Sequence, residues 1–140
     1  MTRDEILAMF ERRQDYWRRH DAAALAADHS DECRVESPTA GTLTDRQAIE
    51  VVYRGWFSAF PDLEIATDDV IIDGDGVALA LNVTGTHAGE FLGLPPSGRR
   101  FKFRAMFMFR LLDGKIVHER RIYDFTGLLV QLGVLKTRPA

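Results

Sequence analysis

The hydrophobic period of this chain changes once, at Pro61, and no other feature narrows its possible folds as much. Before that proline, Ile49, Val52, Tyr53, Trp56 and Phe60 recur at helical spacing on one face, and Pro61 ends the run. After it, LEIATDDVIIDG, VALALNVTG, RRFKFRAMFMFRLL and KIVHERRIYDF alternate or run apolar at strand length. Gly74-Asp75-Gly76 and Asp113-Gly114 are tight-turn signals between them, so the second half reads as an antiparallel meander. Helices followed by such a sheet define an α+β chain.

Upstream, Thr2 and Glu5 form a capping-box pair opening a first helix with Ile6, Phe10, Arg13 and Trp17 on one face. Asp21 can cap a short Ala-rich helix, AAALAAD, which Ser30 and Asp31 would end; ECRVES then reads as a strand closed by Ser37-Pro38. Thr44 with Gln47 repeats the capping-box pattern and opens the third helix. The segment HAGEFLGLPPSG is long for a hairpin loop, and Thr126-Gly127-LLVQLG is a closing helical turn ending at Gly133. One domain over residues 1–140 is expected: three N-terminal helices packed in a curved, mostly antiparallel sheet, with a short C-terminal helix.

Charge and cysteine content exclude several classes of function. Eighteen Lys and Arg against 21 Asp and Glu leave a net charge of −3, which argues against nucleic acid as a partner. Cys33 is the single cysteine, so neither an internal disulfide nor a cysteine-based zinc site is available. No two of the four histidines have metal-ligand spacing. No window approaches a membrane span, and MTRDEILAMF lacks the apolar run of a secretion signal, so a cytoplasmic protein without membrane contact is expected.

Several segments, in order, carry a family pattern. They are Trp56-Phe57-Ser58-Ala59-Phe60-Pro61-Asp62-Leu63, Gly85-Thr86-His87-Ala88-Gly89-Glu90-Phe91, Gly93-Leu94-Pro95-Pro96-Ser97-Gly98 and Asp113-Gly114-Lys115-Ile116. Asp124-Phe125-Thr126-Gly127-Leu128-Leu129 with Gln131-Leu132-Gly133 completes the set. Over roughly residues 3 to 135 the chain resembles the SnoaL-like polyketide cyclase family. The resemblance implies the cone-shaped fold shared with nuclear transport factor and ketosteroid isomerase. For the cyclases themselves it implies a cofactor-free intramolecular aldol condensation run by one acid–base aspartate.

Asp124 matches that catalytic aspartate in the family's D-x-x-G-L-L. Its apolar and aromatic neighbours would desolvate the carboxylate, which suits a group that takes and returns a proton. The structural alternative is a helix cap, since an aspartate just before Thr-Gly commonly starts a helix. The cyclases resembled here also carry histidines two and fourteen residues before the aspartate, where this chain has Ile122 and Arg110. His87 keeps the family pattern and would orient substrate or tune Asp124, or else hold the long loop together by hydrogen bonds. His118, ahead of a charged HERR run, reads as solvated. Ketosteroid isomerase carries its base in V-E-D-P; here Val35-Glu36-Ser37-Pro38 puts Ser37 in the aspartate's place, and Arg13 falls where its oxyanion tyrosine would lie. Steroid isomerisation by that constellation is therefore not expected.

Trp17, Trp56 and Phe60 are inner-face aromatics that serve either as core or as the walls of a pocket for a flat ring system. Which sheet face meets that pocket depends on the Asp113-Gly114 turn. A two-residue loop puts Asp124 on one face with Phe103, Ala105, Phe107 and Phe109. A three-residue loop with a bulge at Gly114 puts it with Arg104, Met106, Met108 and Arg110. We take the bulged register, which lines the pocket with Arg104 and Met106 and turns Phe101, Phe103, Phe107 and Phe109 outward, to be buried in a homodimer through the sheet.

The expected function is thus a cofactor-free cyclase or isomerase-like lyase, acting by aldol-type acid–base catalysis on a polyketide or related carbonyl compound. The alternative is a non-catalytic cone that binds an apolar or polycyclic small molecule; a pure assembly domain is the third class.

Overall fold

The computed structural model describes residues 1–136. Helix α1 (Arg3–Arg18) starts at the capping box: the Thr2 hydroxyl accepts from the Glu5 amide, and the Glu5 carboxylate accepts from the Thr2 amide. It buries Ile6, Met9, Phe10 and Arg13. Helix α2 (Ala22–Ala27) is capped by Asp21. It ends earlier than the sequence suggests, because His29 already pairs with Ile116 and opens strand β1 (His29–Ser37). After the short β2 (Gly41–Leu43) comes α3 (Arg46–Ala59). Its cap is Asp45 rather than Thr44, with the carboxylate accepting from the Ala48 amide at 2.8 Å. The β1–β2 hairpin therefore interrupts the three helices, which are unequal at 16, 6 and 14 residues.

Strands β3 (Glu64–Asp73), β4 (Gly76–Thr86), β5 (Arg100–Leu112) and β6 (Lys115–Tyr123) follow, and α4 (Phe125–Gln131) closes the described chain. The six-stranded curved sheet runs β2-β1-β6-β5-β4-β3, with β1 and β6 parallel and the other neighbours antiparallel. Strands β4 and β5 bury every second residue. Val77, Leu79, Leu81 and Val83 on β4, with Phe101, Phe103, Phe107 and Phe109 on β5, close the core against α1 and α3.

The turn after β5 settles the register differently from either reading of the sequence. Asp113 and Gly114 both have positive φ, 50° and 76°, the backbone of a two-residue hairpin turn. The bulge exists, but it lies inside β6: Arg110 pairs with His118 and Leu111 with Ile116, so Val117 is the extra residue. The phenylalanines therefore face the core, not a partner. The inward residues of β6 are Glu119, Arg121 and Tyr123, paired with Phe109, Phe107 and Ala105. Arg104 and Met106 stand exposed on the opposite face, which corrects their expected place in the pocket.

Candidate functional site

Between the helices and the sheet lies a cleft walled by Trp17 and Trp56 from the helices and by Phe103, Phe107 and Tyr123 from the sheet. The aromatic walls hold one another edge to face. Trp17 meets Tyr53 at 5.1 Å between ring centroids, and Trp56 meets Tyr123 at 5.8 Å. Tyr123 stacks on Phe103 at 5.2 Å, and its hydroxyl is within 3.0 Å of the Thr39 hydroxyl. Burial, opposed by the Thr39 hydrogen bond, pushes the Tyr123 phenol up from its ordinary pKa. The free space is about 30 Å³, enough for a water and far below what a polycyclic molecule fills. A ring can enter only if these walls move apart.

The polar end of the cleft is Arg121 with Tyr53, and behind them runs a buried charge network. Glu119, fully buried, accepts a short hydrogen bond from Arg121 Nε and faces His29 Nε2 at 2.8 Å. His29 Nδ1 faces the Leu25 and Ala26 carbonyls at 3.2 and 3.3 Å, so both ring nitrogens meet acceptors. Arg121 Nη2 donates to Tyr53 Oη at 2.8 Å, and Arg13 Nη2 donates to the same oxygen at 3.3 Å. Arg13 is further paired with Asp28 at 3.0 Å. Burial alone would raise the Glu119 pKa, but Arg121, His29 and Arg13 hold it well below the usual carboxylate range. Burial likewise opposes the charge on Arg121, yet Glu119 keeps it above the ordinary arginine value.

The remaining site residues expected from the sequence fall in several places. Trp17 and Trp56 line the cleft. Phe60 is fully buried outside it, packed on Phe91 and Phe101 at 4.9 and 4.8 Å. His87 is also buried, and its Nδ1 accepts from the Ser97 amide at 3.2 Å while facing the Ser97 hydroxyl at 2.9 Å. Its backbone bonds Arg99 and Gly98, so His87 ties the two ends of the long loop together. Gly89 lets that loop lie on α3: its amide bonds the Ala59 carbonyl, and a Cβ there would collide with the Ser58 carbonyl. His118 is not free in solvent but faces Glu36 at 2.7 Å on the outer sheet face, lowering the Glu36 pKa.

Asp124 follows Tyr123 at the end of β6 and is exposed, where the sequence led us to expect a desolvated carboxylate. The strand stops at Tyr123 and the chain turns into α4, which carries Asp124 out of the apolar layer. Its Oδ1 accepts from the Gly127 amide at 2.8 Å and caps α4. Among the described residues no group bonds its Oδ2. A Cβ on Gly127 would collide with that carboxylate, which is the physical reason for glycine at this position of D-x-x-G.

The chain is thus an α+β fold whose curved sheet closes over an aromatic cleft, with a carboxylate just beyond the last strand. The model of the SnoaL-like polyketide cyclase family matches residues 8–132, and the chain belongs to that family. A nogalonic acid methyl ester cyclase from Streptomyces nogalater is 38% identical over 81 residues, which are 56% of this chain and 60% of that protein. The chain thus spans less than two thirds of that relative's length. Among solved structures, AclR from Streptomyces galilaeus, a candidate hydroxylase, superimposes with a TM-score of 0.85 at 29% identity, covering 99% of this chain and 91% of that one. IdmH from Streptomyces antibioticus, a candidate polyketide cyclase, gives 0.73 at 31% identity over 94% and 97%.

Proposed function

We propose that this chain is a cofactor-free cyclase or isomerase-like lyase that moves a proton with Asp124 on a polyketide or related carbonyl compound. The observation that carries the reading is the Asp124 carboxylate itself: one oxygen is fixed by the Gly127 amide and the other is open, one residue beyond the cleft-lining Tyr123. The open oxygen would take an acidic proton from carbon next to a carbonyl. The resulting carbanion would attack a second carbonyl in the same molecule, and the proton would return to the new alkoxide. Holding a flexible substrate in the reactive geometry would be the cleft's contribution.

The test offers purified protein the methyl esters of nogalonic acid and aklanonic acid, the compounds named for the family's cyclases. Conversion of either above the protein-free rate supports the reading. Saturable binding without conversion supports the second one, a cone that only binds an apolar or polycyclic molecule; the exposed, helix-capping position of Asp124 favours that outcome. Gly127→Ala is a finer probe. The added methyl should turn the Asp124 carboxylate aside and lower turnover by roughly 10–100-fold with the fold intact, read by kinetics beside circular dichroism.

The outer sheet face supports a homodimer. Met106, Met108, Ile122 and Ile71 stand there 43%, 41%, 57% and 61% exposed, an apolar patch that a second copy would cover. Met108→Glu should shift the protein from dimer to monomer in light scattering. A wild-type chain that is already monomeric would contradict the dimer.

A further inference from the structure

Arg121 has more donors than the protein uses. A guanidinium carries five N–H groups; Nε is taken by Glu119 and one Nη2 hydrogen by Tyr53. Among the described residues nothing accepts from Nη1, although the side chain is only 6% exposed and borders the open space of the cleft. Tyr53 Oη already accepts from two guanidinium groups, and its own hydroxyl hydrogen finds no acceptor among the described residues. Arg121 Nη1 therefore borders the open space, where a water or a ligand oxygen can accept from it.

The carboxylates nearby already have partners. Asp28 is committed to Arg13, and Glu119 is shared between Arg121 and His29. Among the described residues no carboxylate is paired with Arg121 Nη1. The walls beyond it are flat rings: Phe107 and Phe103 from β5, Trp56 from α3 and Tyr123 from β6.

We propose that the closed end of the cleft is a seat for the anionic oxygen of a flat ring system, a phenolate or an enolate, held by the spare donors of Arg121 with Tyr53 beside it. The proposal deepens the acid–base reading and rests on it for its substrate class. Arg121 lies three residues before Asp124, about 10 Å along an extended strand. A molecule that touches both groups is therefore larger than a single ring, with an ionisable oxygen at one end and the acidic carbon at the other.

The probe is 4-nitrophenol, whose neutral and ionised forms absorb at different wavelengths. Bound to wild-type protein, its ionisation should move to lower pH by about one unit, a tenfold preference for the anion. The same shift is expected in Asp124→Asn. In the double variant Glu119→Gln with Arg121→Met, which leaves neither partner of that pair as a lone buried charge, the shift should vanish. Absence of binding to wild-type protein, an unshifted ionisation, or a shift that survives in the double variant would each overturn the seat. Because the probe needs no turnover, failure here leaves the role of Asp124 standing, and loss of that role leaves the seat standing.

Discussion

Replacing Glu119 by glutamine is expected to lower the folding stability by about 3–5 kcal/mol, measured by urea unfolding near pH 7. The carboxylate is fully buried and serves two partners, Arg121 and His29. An amide of the same shape turns one donor toward groups that need an acceptor, so the Arg121 charge loses its buried counter-ion. The loss should also depend on pH in a defined direction. Glu119 has a lower pKa folded than unfolded, so the unfolded chain binds more protons as acid is added. Its stabilising contribution is complete above the ordinary carboxylate value of about 4.3 and is lost as pH falls through the lower folded value. The gap between wild type and variant should therefore be widest at neutral pH and should close in acid. A constant gap from pH 7 to pH 3 would mean that Glu119 is not the ionised partner described.

Asp124→Asn should reduce turnover by about 10²–10⁴-fold while leaving the melting temperature nearly unchanged. Asparagine caps helices as well as aspartate does, and its side-chain oxygen can still accept from the Gly127 amide. What it lacks is a basic oxygen. The substitution thus separates the two roles of this residue: a fall in turnover with the helix retained assigns proton transfer, whereas unchanged turnover leaves Asp124 as a cap. Asp124→Ala, by contrast, should also cost about 1 kcal/mol of stability through loss of the cap.

Much of the fold could be read from residue patterns. The change of period at Pro61 separated helix from sheet, and the Thr2–Glu5 capping box marked the start of α1. The interior polar residues were hidden by the bulge at Val117. In the sequence, Ile116 and Ile122 share one parity and so suggest that the even positions of β6 face inward. The bulge reverses the parity midway, so Ile116 is buried, Ile122 is exposed, and Glu119 and Arg121 turn into the core. A charged run such as HERR therefore looked like a solvated face, and the phenylalanines of β5 looked available to a partner. The clue present in the sequence was the regular alternation of β5, whose phenylalanines needed a core more than Ile122 did. The exposed position of Asp124 was hidden for another reason: the strand ends one residue before it, and strand ends are set by pairing across the sheet.

The most direct test of the proton-transfer claim is hydrogen exchange in D₂O at the carbon of aklanonic acid methyl ester that forms the new bond, followed by proton NMR. The account predicts that wild-type protein speeds loss of that signal above the buffer rate and that Asp124→Asn, still folded, does not. Equal exchange by both proteins, or none above buffer while the ester is demonstrably bound, would contradict it.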